Sequence, residues 1–226
     1  MSKTKKAVII GSVLVGIGVI IGFIGIAIGG FKFPNGAVDL TTMKALHAEK
    51  KTVQIADAFD KIEIAGASSM DIEICKSKTG KNYVEYYDTD DWTSRVDVKD
   101  RVLKFTTDDK GKHKAVVSLG FGKDTAARLY LADAEYKEIS VTTLSGYVTI
   151  QDVNAETVNV SASSGDLYMK NINAPDSIMA TSSSGDIDLE NATAKQIELG
   201  ANSGDIEMQD ITAESLRMST SSGDID

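Results

Sequence analysis

A short motif returns at nearly constant spacing in the C-terminal part of this chain. Ser-Gly occurs five times between residues 145 and 223, and Asp follows in four of the five copies. Successive glycines are separated by 19, 20, 19 and 19 residues, and they are Gly146, Gly165, Gly185, Gly204 and Gly223. A period in this range is typical of a solenoid, in which each repeat forms one coil and stacks on the next.

Apolar and polar residues alternate at fixed distances from each glycine. The column seven residues before the glycine contains Ile139, Val158, Ile178, Ile197 and Leu216. The column two residues after it contains Val148, Leu167, Ile187, Ile206 and Ile225, and a later column of small residues contains Ala155, Ala174, Ala194 and Ala213. A period of two is that of strands with one buried face. The sequence therefore predicts an all-β fold, a parallel β-solenoid whose coils of about 19 residues contain three short strands each.

The one coil of 20 residues indicates where a corner lies. Ala174-Pro175-Asp176-Ser177 stands where other coils have three residues, such as Ala155-Glu156-Thr157. Insertions are tolerated at corners rather than within strands, so we expect the extra residue between Ala174 and Ile178.

The motif itself has two interpretations. In the structural one, the glycine adopts a positive φ, and the neighbouring Ser and Asp side chains bond the turn backbone. In the functional one, an external row of carboxylates binds cations, with Ca²⁺ as the candidate, or a cationic partner. That row consists of Asp166, Asp186, Asp205 and Asp224. Tyr147 replaces Asp in the first copy, so the row is expected to start one coil late.

Residues 7–31 are all apolar or Gly except Ser12. About 20 such residues cross a bilayer, so the run predicts an uncleaved transmembrane helix. A secretory signal peptide is the alternative, but its apolar core is shorter, at roughly 7–15 residues. Lys3, Lys5 and Lys6 precede the helix and favour a cytoplasmic tail at residues 1–6. The protein is then a single-pass cell-membrane protein with an extracellular C-terminal domain.

Glycines recur along one face of the predicted helix. They are Gly11, Gly18, Gly22, Gly25 and Gly29. Such a stripe allows close helix packing and suggests a homodimer or a membrane-protein partner. Glycine is also common in membrane helices without that role.

Three further regions follow the helix. Residues 32–52 are predicted to be a linker, partly helical, and residues 136–226 hold the solenoid repeats. Residues 53–135 form an irregular β region of hairpins with a degenerate first coil, because residues 59–64 echo residues 136–141. The chain stops at Asp226, just inside the second strand of its last coil. We expect the native C-terminus to lie further on; the alternative is that the open end at Ile225, Met208 and Met218 pairs with another molecule.

Charge and missing motifs exclude several functions. Residues 136–226 contain 4 Lys and Arg against 15 Asp and Glu, which argues against nucleic acid and anionic lipid as partners. His47 and His113 have no patterned partners, and no zinc, nucleophile-elbow or EF-hand spacing occurs. The loop at residues 120–125 lacks the earlier glycine of a phosphate loop, and a lone Cys75 excludes an intramolecular disulfide. We expect that the protein is not an enzyme and that it uses no cofactor.

The anchor, the irregular β region and the coils together resemble the bacterial "putative adhesin" family of Ser-Gly-Asp repeat proteins. This domain of unknown function includes LiaG-like membrane proteins of Gram-positive envelope-stress operons. The resemblance covers residues 53–226 and rests on four copies of one motif, Ser164-Gly165-Asp166-Leu167, Ser184-Gly185-Asp186-Ile187, Ser203-Gly204-Asp205-Ile206 and Ser222-Gly223-Asp224-Ile225. It implies a β-solenoid on the outer face of the membrane and supplies no catalytic residues.

Two functional hypotheses follow. The first is a non-enzymatic, membrane-anchored surface protein of a Gram-positive bacterium, an adhesin or envelope-binding module whose acidic solenoid binds a cell-envelope or surface ligand. The second is a regulatory membrane protein in cell-envelope stress signalling, which the glycine stripe and the family resemblance suggest. An enzyme on this scaffold would need basic and acidic side chains that converge in a groove, and the repeats hold few basic residues.

Overall fold

The computed structural model describes residues 37–39, 44–45, 48–67, 70–89, 92–109, 116–118 and 126–226, and everything described is strand, turn or irregular chain. The early strands are β1 (Ala37–Asp39), β2 (Lys44–Ala45), β3 (Ala48–Gln54), β4 (Lys61–Ala67), β5 (Ile72–Lys76), β6 (Tyr83–Thr89), β7 (Trp92–Lys99), β8 (Val102–Asp109), β9 (Val116–Ser118) and β10 (Ala127–Leu131). The repeat strands are β11 (Glu135–Ser145), β12 (Val148–Ser164), β13 (Leu167–Ser184), β14 (Ile187–Ser203) and β15 (Ile206–Ser222).

The repeats form the predicted stack of parallel coils. Each of β11 to β14 pairs in parallel with the next strand, and equivalent repeat residues face each other, as in Ile178↔Ile197 and Ile187↔Ile206. The apolar columns are internal as far as β14, where residues such as Ile139, Val158 and Ile187 are fully buried. In the last coil the expectation is wrong, since Leu216 and Ile225 are 44% and 42% exposed because no further coil covers them among the described residues. The buried residues of successive coils form one continuous core. Burying each such side chain stabilises the fold by roughly 1.5–3 kcal/mol.

Each coil is one long strand rather than three short ones. β12 to β15 contain 17 or 18 residues each, and a residue with positive φ bends each of them, at Asp152, Asn171, Asn191 and Asp210. A second bend lies at the register shift between Ala174 and Ser177, where β13 has one residue more than β14. The extra residue therefore lies at the predicted corner.

The N-terminal end of the stack does not follow chain order. β4 pairs in parallel with β11, and Ile62↔Ile139 and Ile64↔Val141 match the residues that the sequence echo aligns. β5 pairs in parallel with β12. The later strands β8 and β10 then pair in parallel with the opposite edges of β4 and β5. The chain thus returns to the outside of its first coil before β11 continues the stack.

Antiparallel strands complete this end. β7 pairs with β8, while β6 pairs with β10 and β3 pairs with β6. The rings of Tyr83 and Tyr130 stack with centroids 4.4 Å apart, and Tyr86 packs edge-on against Phe105. These three tyrosines therefore pack against other aromatic rings of the N-terminal region.

The predicted linker contains strands where it is described. β1 pairs with β2 and β9 in a small separate sheet, and β3 begins at Ala48 and joins the main sheet. The expectation of partial helix at residues 32–52 is therefore wrong for the described part, because its backbone bonds to other strands instead. The tail at residues 1–6, the predicted membrane helix at residues 7–31 and its glycines lie outside the described residues. Among the residues that are described, no helix has the length and apolar character that crossing a membrane requires.

A buried tyrosine ties the repeats to the N-terminal region and makes stability sensitive to alkaline pH. Tyr136 is 3% exposed, and its hydroxyl donates to Asn82 Oδ1 at 3.3 Å and to the Ala132 carbonyl at 3.2 Å. Burial, followed by the charge of Asp133, raises the pKa of Tyr136 from 10.0 to about 12. The folded state therefore holds this proton more tightly than the unfolded state.

We expect the stability that this shift provides to be complete below pH 10 and to be lost as the pH rises from 10 through about 12. The free energy of unfolding should fall by roughly 2 kcal/mol over that range from this group. Urea denaturation at several pH values measures it, with Tyr136→Phe as the control that should flatten this part of the slope. An equally steep decline in the Phe variant would contradict the assignment.

Candidate functional site: the turn edge

The Ser-Gly-Asp motifs lie in a row along one edge of the stack, which we call the turn edge. Its backbone is fixed between coils, since Gly165 N donates to the Ser184 carbonyl at 3.1 Å and Leu167 N donates to the Asp186 carbonyl at 2.9 Å. The same two bonds recur at the next coil, from Gly185 and Ile187. The turn edge is therefore as regular as the strands that it joins.

Glycine is required there because neighbouring turns approach closely. A Cβ atom built on Gly165, Gly185 or Gly204 would lie within 3.0 Å of the carbonyl oxygen of the preceding glycine in the row. Gly146, Gly165 and Gly223 have the expected positive φ of 128°, 151° and 157°. Gly185 and Gly204 do not share that conformation, so steric approach is the reason common to the row.

The aspartates that follow the glycines bond the backbone of the next coil. Asp166 Oδ1 accepts from Asp186 N at 3.0 Å, Asp186 Oδ1 from Asp205 N at 2.8 Å, and Asp205 Oδ1 from Asp224 N at 2.8 Å. The four predicted carboxylates are thus brought into one row, as the sequence indicates. Their geometry is that of a hydrogen-bonded ladder that runs from coil to coil, which agrees with the structural interpretation of the motif.

The ladder begins earlier than the sequence suggests and is interrupted once. Asp71, in the first coil, accepts from Tyr147 N through Oδ1 at 2.8 Å. Tyr147 occupies the Asp column but supplies no carboxylate to Asp166. The expectation that the row starts one coil late is therefore corrected: it starts at Asp71 and is broken at Tyr147.

Asp186 provides a direct test of the ladder. Replacing it with Ala removes the acceptor for Asp205 N and should lower the free energy of unfolding by about 1 kcal/mol. Asn retains an oxygen at the same position and removes one of several like charges, so Asp186→Asn should change stability by less than about 0.5 kcal/mol. Urea denaturation measures both variants. Equal losses for Ala and Asn would show that the charge, rather than the hydrogen bond, is what matters.

A second row, which the sequence analysis missed, lies at the positive-φ bend. Asn171 Nδ2 donates to Asp152 Oδ1 at 2.6 Å, and Asn191 Nδ2 donates to Asn171 Oδ1 at 2.7 Å. Asn and Asp tolerate this backbone conformation better than other residues with side chains. The signal was present, because every coil has Asn or Asp six residues after its glycine.

The outer surface of the strands just after the motif is acidic. We call it the acidic face, and its carboxylates are Asp188, Glu190 and Glu207. The Lys170 ammonium lies 2.6 Å from Glu190 Oε1, and the Tyr168 hydroxyl donates to Glu190 Oε2 at 3.1 Å. Both contacts lower the pKa of the Glu190 carboxyl, with Lys170 as the larger cause. Burial raises the pKa of the neighbouring Asp188 carboxyl, and the negative charges of Glu207, Asp186 and Asp166 add to the effect. An open groove of about 540 Å³ crosses this face.

The described side chains include no group of three or more His, Cys, Asp or Glu positioned to hold a metal ion. Binding of Ca²⁺ or other cations by Asp166, Asp186, Asp205 and Asp224 stays a prediction. The same holds for helix packing by Gly11, Gly18, Gly22, Gly25 and Gly29, which lie outside the described residues. Cys75 is half-buried, and burial raises the pKa of its thiol.

A protein-family model matches most of the chain, including the repeats and much of the irregular β region. The family model described as Toastrack DUF4097 matches residues 59–226. Among curated proteins, no relative matches the chain.

Several solved structures match most of this chain at low sequence identity. One is a "putative adhesin" from Bacteroides fragilis, with 16% identity, 79% of this chain and 96% of that chain covered, and a TM-score of 0.38. Another is a "putative cell adhesion protein" from Clostridium sporogenes, with 9% identity, coverage of 79% and 98%, and a TM-score of 0.41. A "putative lipid binding protein" from Parabacteroides distasonis has 13% identity, coverage of 79% and 96%, and a TM-score of 0.26.

Proposed function

This chain belongs to the Toastrack DUF4097 family, and from its architecture we propose that it is a non-enzymatic surface-binding module. The observation that carries the proposal is the regular presentation of side chains on the outside of the stack. Outward residues of successive coils are held about 4.8 Å apart, the spacing of paired strands. A rigid, repeated surface of this kind suits the binding of an extended ligand, because little ordering is needed on association.

The chemistry of that surface points to an envelope or cell-surface ligand rather than to nucleic acid. The repeat region carries 15 acidic residues against 4 basic ones, and the acidic face and turn edge concentrate several of them. Nucleic acid would be repelled by this charge, whereas ligands with amine or other basic groups would be attracted. Hydroxyl groups of a ligand could donate hydrogen bonds to the carboxylates. The protein is then an adhesin or an envelope-binding module, and it needs no cofactor for that role.

In this proposal the chain is anchored in the cell membrane of a Gram-positive bacterium. Residues 7–31 cross the bilayer once, residues 1–6 are cytoplasmic, and the repeat domain is extracellular. The support is the length and apolar character of this run together with the lysines that precede it.

Sedimentation with isolated cell walls tests the binding function. The full chain is reconstituted in lipid nanodiscs and mixed with purified Gram-positive walls, with and without Ca²⁺, and empty nanodiscs serve as the control. Our proposal predicts saturable co-sedimentation of the full chain. Recovery in the pellet no greater than that of empty nanodiscs, in either condition, would contradict it.

The glycine stripe supports a second function, the regulation of cell-envelope stress signalling through a membrane-protein partner or a homodimer. Replacing Gly18, Gly22 and Gly25 with Leu would block close helix packing at these positions. A changed stress response with unchanged wall binding would favour the signalling function. An unchanged response would remove its support.

A further inference from the structure

Two large apolar side chains are exposed at a single turn of the stack. Leu144 and Tyr147 are each 60% exposed, more than any other exposed large hydrophobic residue of the described chain, and they flank Ser145-Gly146. In the other copies the position of Leu144 holds Ser163, Ser183, Asn202 and Ser221, and that of Tyr147 holds Asp166, Asp186, Asp205 and Asp224. Two independent polar columns are therefore interrupted by apolar residues in the same turn.

The fold does not require the Tyr147 side chain. The backbone N–H and carbonyl of Tyr147 are both bonded to the preceding coil. Tyr147 N donates to Asp71 Oδ1 at 2.8 Å, and Ile72 N donates to the Tyr147 carbonyl at 2.8 Å. An aspartate at this position could instead accept from Asp166 N and complete the ladder. Residues that break a local rule of this kind without a structural benefit are expected at functional positions.

The surroundings of the pair define what can bind. One coil to either side of Tyr147, Asp71 and Asp166 continue the carboxylate row, at about the 4.8 Å strand spacing. An exposed aromatic ring between carboxylates attracts a cationic side chain through both the ring face and the charges. Leu144 adds aliphatic surface, which favours an apolar side chain of a partner over a sugar hydroxyl.

We propose that Leu144 and Tyr147 form the centre of a docking surface for a protein segment that carries both basic and apolar side chains. The inference rests on the proposed surface-binding function and specifies where and what the module binds. Asp71 and Asp166 place one carboxylate on either side of Tyr147 along the turn edge, and the hydrogen-bonded backbone holds the apolar centre in place before binding. An apolar centre flanked by charged residues is typical of a protein-binding hot spot.

Peptide binding to the full chain in nanodiscs tests the proposal. The probes are a synthetic peptide that repeats Lys-Phe-Lys-Ser and one of equal charge that repeats Lys-Ser-Lys-Ser, with a chitin oligosaccharide as the glycan probe. We expect the Phe-containing peptide to bind at least about tenfold more tightly than the other. The double variant Leu144→Ser, Tyr147→Asp should lose at least about tenfold in affinity for it, with no fall in melting temperature.

Met179→Ser is the matched control, because Met179 is exposed at 44% on another part of the stack and should not affect binding. Equal affinities of wild type and double variant, or no saturable binding of the Phe-containing peptide, would overturn the docking surface. If the double variant loses binding to the oligosaccharide but not to the peptide, the ligand is a glycan and the proposed protein partner is wrong.

The wall-sedimentation experiment separates this proposal from the proposed function. If the double variant sediments with cell walls as well as wild type does, the docking surface is wrong while wall binding stands. If wild type does not sediment but the peptide result holds, wall binding fails instead.

Discussion

Gly185→Ala should lower the free energy of unfolding by about 3 kcal/mol. Gly185 lies in the middle of the turn edge, where its added Cβ would meet the carbonyl oxygen and carbon of Gly165 at distances that real Cβ atoms do not adopt. Both neighbours are backbone atoms, so relief requires the two coils to separate. Separation would also weaken the bond from Leu167 N to the Asp186 carbonyl, now 2.9 Å.

Gly200→Ala is the matched control, since it adds the same methyl group to the adjacent part of the same coil. There the nearest atoms are Thr181 Cγ2 at 3.7 Å and Ser219 Oγ at 3.8 Å, which are ordinary contacts. We expect a neutral change or a gain of up to about 1 kcal/mol, because Ala has less backbone freedom to lose on folding. Urea denaturation of both variants measures the difference. A similar loss at the two positions would contradict the close approach of the turns.

Ile178→Ala should lower the free energy of unfolding by about 3 kcal/mol, within the usual range for truncating a buried aliphatic side chain. Ile178 is 1% exposed, and its register partners Val158 and Ile197 belong to the same internal column. Removal of three carbon atoms leaves a cavity between coils on both sides. The rigid hydrogen-bonded stack has little freedom to close it.

Met179→Ala is the control from the adjacent residue, which points to the opposite face and is 44% exposed. Its loss should be below about 0.5 kcal/mol, as for most surface substitutions. Thermal and urea denaturation of the two variants give the comparison. Comparable losses would mean that the alternation of buried and exposed residues is misassigned in this coil.

The repeat core could be predicted from the sequence because side-chain alternation and a fixed period are local signals. Column members such as Ile139 and Ile178 are buried as expected, although Leu216 of the same column is exposed in the last coil. The extra residue after Ala174 lies at its predicted corner. The number of strands in each coil was harder to predict from the sequence. Asn and Asp adopt positive φ at the bend and keep the strand hydrogen bonds on either side of it, so one bent strand replaces separate short ones.

The N-terminal topology could not be read in the same way. β8 and β10 add to the outer edges of β4 and β5 through pairings distant in sequence, and no repeat marks their register. The role of Asp71 was hidden because its coil has Met70 where the later motifs have glycine. Its carboxylate nevertheless accepts from Tyr147 N, which only the stacking of coils brings close.

The reason why the turn has the same shape in successive coils also needed the structure. A Ser-Gly-Asp motif predicts a turn with positive φ, and Gly146 fits that prediction. The close approach between glycines of successive coils depends on the distance between turns, which the sequence of one turn does not contain. The site at Leu144 and Tyr147 has a sequence signal, because both residues depart from their columns, but only their exposure distinguishes them from core residues.

The proposed surface-binding function, and the docking surface that rests on it, require the repeat domain to lie outside the cell. Protease treatment of intact cells tests this most directly. Cells expressing the full chain are treated with a protease that does not cross the membrane, and the repeat domain is followed with an antibody against residues 136–226. Our account predicts loss of the domain from intact cells, while a cytoplasmic marker protein remains whole. Protection of the domain until the cells are lysed would place it inside and contradict the proposed surface-binding function.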